Sequence, residues 1–225
     1  MQRWGAVILL ALVACGGHTE TKADQGRSIA AGAGLSKEVA AFFALAASGT
    51  QATYRVSLDT TDSAGNKLQV TTTQRPPDVR VDTFHADGTI DATLALKGRR
   101  YQCTMDANRW QCGDLGVATS DNSEVFGATA VQLAIDRFKQ RAADYDFRVE
   151  DRMIANVKAT CLLTSRKARH DQDPSLGASA TLCLSREGAI LSAEVPSGTL
   201  TASSYATTIP DDALTLPAPV SSSSS

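Results

Sequence analysis

The sequence predicts an α+β fold, a strongly curved antiparallel β-sheet of about 10–11 strands forming an unclosed barrel, with two helices over its open side. Three observations predict it. Apolar residues recur with period two from Tyr54 to Trp110 and again from Tyr145 to Ala202. Each of these stretches follows a segment whose apolar residues recur at helical spacing, and turn-forming dipeptides punctuate the strands at short intervals. A sheet this broad carries more apolar surface than two helices can cover, so curling it on itself is the geometric way to withdraw that face from water.

The chain opens with Arg3, then an apolar run over residues 6–14 that ends in Leu12-Val13-Ala14-Cys15 and is followed by Gly16 and Gly17. A positive start, an apolar run too short to span a bilayer and small residues where a peptidase must fit the backbone describe a cleaved export signal. The segment resembles the bacterial lipobox. That resemblance implies that residues 1–14 are a signal peptide and that Cys15 becomes the mature N-terminus, carrying diacylglycerol and a palmitate-type acyl chain. Each buried methylene contributes about 0.8 kcal/mol, so such chains anchor a domain on a membrane with no helix crossing it. The expected location is extracytoplasmic, lipid-anchored on the outer face of the cell membrane or at the outer membrane. Gly16 stands where an inner-membrane retention signal of this family carries aspartate.

Residues 15–34 are small, polar and aperiodic after the cysteine, as a flexible tether requires. A single domain follows over residues 35–217. Ser36 is a natural N-cap for a helix carrying Val39, Phe42, Phe43 and Ala46, and Gly49 ends it. Strands then run through Tyr54-Val56-Leu58, Leu68-Val70 after Gly65-Asn66, and Val79-Val81 after Pro76-Pro77. Ile90-Ala92-Leu94-Leu96 follow the Asp87-Gly88 turn; Tyr101-Cys103-Met105 then share a face with Trp110 and Cys112. A second helix is expected from Ser123, with Val125, Phe126, Val131, Leu133 and Phe138 on its stripe, acids at its start and Lys139 and Arg141 near its end. Five further strands follow, centred on Phe147, Cys161, Leu182, Ala193 and Leu200. Residues 218–225 read as a disordered Ser-rich tail.

Of five cysteines, assigning Cys15 to lipid leaves Cys103, Cys112, Cys161 and Cys183. An even set in an exported chain points to disulfides. Counting outward from a two-residue turn at Ala107-Asn108, the 103/112 pair is non-hydrogen-bonded, where Cα atoms approach to roughly 4.5 Å, a separation a disulfide accepts. The expected pairing is therefore 103–112 with 161–183. No paired C-x-x-C supports a metal site instead, and no cofactor is expected.

Composition excludes several classes. A formal charge of −2 with no long basic run leaves nothing to trace a nucleic-acid backbone, and aromatic residues make up only 5% of the chain, too few for base-stacking platforms. His18, His85 and His170 are the only histidines and lie in unrelated segments. There is no G-x-S-x-G elbow, Gly-rich phosphate loop or H-E-x-x-H helix, so no covalent chemistry is expected.

The order helix, six-strand meander, helix, second meander, carried on a lipobox and tether, resembles the Lol-type lipoprotein carriers and the LppX/LprG-like lipoproteins of actinobacteria. The residues that carry the resemblance are Gln74-Arg75-Pro76-Pro77-Asp78-Val79-Arg80-Val81-Asp82, Tyr101-Gln102-Cys103 with Trp110-Gln111-Cys112, and Thr181-Leu182-Cys183-Leu184 with Gly188. A LolA-like fold implies a hydrophobic cavity that takes acyl chains, for carriage of a lipid or a lipoprotein cargo by a monomer. Small inward residues, among them Ala92, Ala159, Ala193 and Ala202, leave room for such a space. Strand and helix parity nominates Tyr54, Val56, Val70, Val81, Leu94, Tyr101, Trp110, Phe126, Leu133, Phe147 and Leu184 as its lining. The competing expectation is a surface module with a filled barrel that binds a protein on its outer face.

Overall fold

The computed structural model describes residues 35–62, 64–117, 142–167, 179–195 and 198–221. Helix α1 (Lys37–Gly49) starts where the Ser36 side chain accepts a hydrogen bond from the Val39 amide at 3.4 Å, satisfying one of the unpaired donors of the first turn. Six strands follow: β1 (Tyr54–Asp62), β2 (Lys67–Arg75), β3 (Asp78–Phe84), β4 (Ile90–Leu96), β5 (Arg99–Asp106) and β6 (Arg109–Val117). A single 3₁₀ turn, Ala142–Asp144, leads into β7 (Tyr145–Ile154), β8 (Val157–Arg166), β9 (Ser179–Leu184), β10 (Ile190–Val195) and β11 (Gly198–Ala206). The second predicted helix, with Phe126 and Leu133, lies outside the described residues; among those described, α1 is the one α-helix.

All eleven strands form one antiparallel sheet in the order β6-β5-β4-β3-β2-β1-β11-β10-β9-β8-β7. Three of its hairpins turn in two residues with both in the left-handed region: Lys97 and Gly98, Ala107 and Asn108, Ala155 and Asn156. That backbone twist matches the twist of the flanking strands, which is why such turns close tight hairpins. The edge strands β6 and β7 do not pair with each other, so the sheet is unclosed. It is nevertheless strongly curved. Strands β11 and β7, four places apart, approach within 8 Å between Cα atoms, where a flat sheet would hold them about 19 Å apart.

The interior of that curl is a core of Val56, Ala159, Cys161, Cys183, Leu191 and Ala202, all buried. On the other face of β8 and β9, Leu162 and Leu184 alternate with the cysteines and pack with Val39, Phe42, Phe43 and Ala46 of α1. These two strands are thus apolar on both faces. Cys161 and Cys183 face each other across the ladder and are bonded, as are Cys103 and Cys112, with Cα separations of 3.9 and 4.1 Å.

A third core lies among β4, β5 and β6: Ala92, Leu94, Leu96, Cys103 and Cys112, flanked by Tyr101 and Trp110. Leu214, Leu216 and Ala218 of the segment after β11 cover it. That segment then reaches the outer edge of β6, where Val220 bridges Cys112 in parallel and both the backbone amide and Oγ of Ser221 donate to the Cys112 carbonyl, at 2.9 and 3.0 Å. The domain therefore extends to Ser221, and residues 218–221 are seated rather than part of a disordered tail. Serines and prolines hid this from the sequence, because a segment that docks by three half-buried side chains and a bridge has no strand-length pattern.

Candidate ligand-binding site

The curl brings three sequence-distant pieces together at one end of the sheet: the start of β8, the turn between β9 and β10, and the end of β11. Between them lies a cavity of about 380 Å³ lined by Val157, Lys158, Ser185, Arg186, Glu187, Tyr205, Ala206 and Thr207. Val157 and Tyr205 also pack against the central core, so the apolar wall of the cavity is continuous with the interior of the curl.

Its polar side is ordered by hydrogen bonds whose directions follow from the donors available. The Tyr205 hydroxyl donates its one proton to Glu187 Oε2 at 2.6 Å. Ser185 Oγ, 3.0 Å from Tyr205 Oη, must then be the donor in that contact. The Ser185 oxygen in turn accepts from the amides of Glu187 and Ala189, at 3.1 and 3.2 Å, which explains why this serine is only 1% exposed without penalty. Burial pushes the Tyr205 hydroxyl above its ordinary range, and its bond to Glu187 pushes the same way. Burial would also raise Glu187, but hydrogen bonds from Tyr205, its own backbone and Arg186 outweigh it and hold the carboxylate below its usual value. Tyr54, tilted against Tyr205 with ring centroids 6.4 Å apart, is pushed up to about 12 by burial. The rim is thus a neutral tyrosine, an ionised glutamate and two exposed cations: Arg186, paired with Glu187, and Lys158, paired with Asp151 at 2.8 Å. Such a site can hold an apolar group against its wall and a polar head at its rim.

The residues nominated by strand parity fall into separate environments. Tyr54 and Val56 belong to the central core, Phe147 and Leu184 to the α1 core, and Leu94, Tyr101 and Trp110 to the core under the C-terminal segment. Val81 is buried and Val70 half-buried on the face of β2 and β3 that also carries Val56, while Leu94 faces the other way. Phe126 and Leu133 lie outside the described residues. Ser185, Glu187 and Tyr205 were not nominated. Ser185 and Tyr205 sit 20 residues apart in sequence, at a turn and near a strand end, and the order β9-β10-β11 makes them neighbours. Among the described residues no group of three or more His, Cys, Asp or Glu could hold a metal ion, and no helix is long and apolar enough to cross a membrane.

No protein-family model and no curated protein matches the chain. Among solved structures it is similar to MucB, with 19% identity over 77% of this chain and a TM-score of 0.39; the chain spans 60% of the length of MucB. It is also similar to an uncharacterised conserved protein from Thermus thermophilus, with 10% identity over 79% of this chain and 93% of that one, TM-score 0.44. The lipoprotein LppX of Mycobacterium tuberculosis is similar at 14% identity over 76% of this chain and 97% of that one, TM-score 0.38. The architecture itself is a strongly curved, unclosed antiparallel sheet.

Proposed function

We propose that this chain is an envelope lipoprotein that binds a lipid or another hydrophobic ligand, held on a membrane by acyl chains on Cys15 and acting as a monomer in transport of that lipid or of a lipoprotein cargo. The observation that carries the reading is the cavity of about 380 Å³, whose apolar wall continues into the interior of the curl while its mouth is polar. Two disulfides support an extracytoplasmic address.

The alternative reading is a surface module that binds a protein. It is favoured by the completeness of the central core, where Ala159, Cys161 and Leu191 are fully buried among protein atoms. Native mass spectrometry with organic extraction, on a form beginning at residue 16 and made in an oxidising compartment, separates the two. Bound lipid at defined stoichiometry supports the first; its reproducible absence, with no uptake of apolar dyes, supports the second.

A further inference from the structure

The segment after β11 is built like a bound peptide. Leu214, Leu216 and Ala218, two residues apart, pack on Ala92, Leu94 and Leu96 and the Cys103–Cys112 bridge. Two guanidinium groups on the same face of the sheet meet the segment's main chain: Arg75 donates to the Ile209 carbonyl at 3.3 Å and Arg80 to the Thr215 carbonyl at 3.4 Å. Arg75 also pairs with Asp211 at 3.6 Å, and Val220 ends the segment on the outer edge of β6. Alternate apolar side chains in a trough, main-chain groups met by fixed donors and a bridge to a sheet edge are the elements by which sheets recognise extended peptides.

The segment is also weakly held. Asp211 is fully exposed and Arg75 nearly half exposed, so their pair adds little. Leu214, Leu216 and Ala218 are only half-buried, whereas the side chains beneath them, Ala92, Leu94 and Cys103, are fully buried. Arg80 is positioned independently of the segment, since Asp82 accepts from its Nε at 2.9 and 3.0 Å and its Cζ lies 5.8 Å from the Trp110 ring centroid.

From this we infer that the face formed by β4, β5 and β6 is a binding site for an extended polypeptide of another protein, filled in this structure by residues 209–221 acting as an internal competitor. The partner segment carries apolar residues at i, i+2 and i+4, with an acidic residue three positions before the first, matching Asp211, Leu214, Leu216 and Ala218. A tethered competitor has an effective concentration on the order of millimolar, so the partner gains the site only by binding better than the tether or when the tether is drawn off.

The test uses the oxidised protein and a fluorescein-labelled peptide of residues 209–221, read by anisotropy. Two variants weaken the internal competitor differently: Leu214→Asp with Leu216→Asp, and a Gly-Ser insertion of about six residues between Thr208 and Ile209, which keeps every contact but dilutes the tether. Both are checked for folding by circular dichroism, and the insertion serves if the double substitution does not fold. The expected result is at least tenfold tighter peptide binding by the variants than by the parent, lost when both leucines of the peptide are replaced by aspartate. Unchanged binding in a folded variant overturns the proposal. So does uptake of a fluorescent fatty acid in place of the peptide, which assigns the trough to lipid, and so does dimerisation without peptide binding, which assigns it to a second copy.

Discussion

Gly49 and Gly188 meet backbone to backbone: a Cβ on Gly49 would lie 2.2 Å from the Gly188 carbonyl oxygen, and one on Gly188 would lie 2.2 Å from the Leu45 carbonyl oxygen. The end of α1 and the turn between β9 and β10 can dock at this distance only because neither residue has a side chain. Gly188 is constrained twice, since its φ of +86° lies in the left-handed region. The contact places Ser185 and Glu187, and with them the cavity, relative to the helix.

Gly49→Ala is therefore expected to destabilise the fold by about 1–3 kcal/mol, the usual cost of overpacking against backbone that cannot yield. Gly188→Ala should cost more, because strain adds to the clash. Urea denaturation followed by circular dichroism checks both; midpoints equal to that of the parent would show that the two segments separate freely.

Tyr205→Phe removes the proton that Glu187 accepts and leaves the Ser185 hydroxyl without its partner. The expected loss is about 2–3 kcal/mol, as for two partly buried hydrogen bonds of which one has a charged acceptor. Ligand retention, measured by extraction, should fall for a ligand with a polar head and hold for a plain hydrocarbon.

Two carboxylates should give pH dependences of opposite sign. Glu187 has a lowered folded value, so the folded state binds fewer protons than the unfolded chain; its contribution is present above the unfolded value and is lost as pH falls through the folded one. The stability difference between the parent and Glu187→Gln should accordingly shrink on acidification. Asp82 is raised, by burial that outweighs the neighbouring Arg80 and Arg55. Its contribution is present below the unfolded value and is lost as pH rises through the raised one. Stability of Asp82→Asn, measured by urea titration from acid to neutral pH, should lack that decline.

The disulfides close loops with sequence separations of 9 and 22 residues. Chain-entropy reasoning gives about 2.6 kcal/mol for the shorter and about 3.4 kcal/mol for the longer. Replacing Cys161 and Cys183 together by alanine should thus cost slightly more than replacing Cys103 and Cys112, and it also opens the central core. Thermal denaturation of the two double variants checks the order.

Cys15→Ser should move the protein from the detergent phase to the aqueous phase in a detergent-partition assay and abolish labelling by a palmitate analogue. Retention of label on the serine variant would remove the basis for the lipid anchor.

What was legible in the chain is what local geometry decides. Ala107-Asn108 forces a two-residue turn, and that turn sets Cys103 opposite Cys112 and Met105 opposite Trp110. Ser36 and Gly49 bound α1 for equally local reasons. Alternation, however, defines two faces without saying which is shared between strands. Val81 pairs with Thr93 and Leu94 with Arg80, so neighbouring strands that both alternate apolar and polar residues present their apolar sets to opposite sides. Nothing in either strand reveals that one-residue offset; it is fixed by the turn through Asp87 and Gly88 that joins them. The site residues Ser185 and Tyr205 were hidden for another reason, since they meet only through the pairing of β9 and β11 on either side of β10, which no local pattern around either residue announces.

Every pairing in the sheet joins strands consecutive in sequence except one, in which β1 lies against β11 and Arg55 meets Ala206. The chain is thus two runs of hairpins that can each zip from their own turns, closed by a single clasp between their far ends. Low contact order within each run favours early formation, while the clasp bears the entropy of the longest loop in the sheet. A nascent chain must hold β1 open until β11 has emerged, and for that interval it exposes an unpaired edge to every other strand in the compartment. Its yield in the envelope should depend on how quickly that clasp shuts.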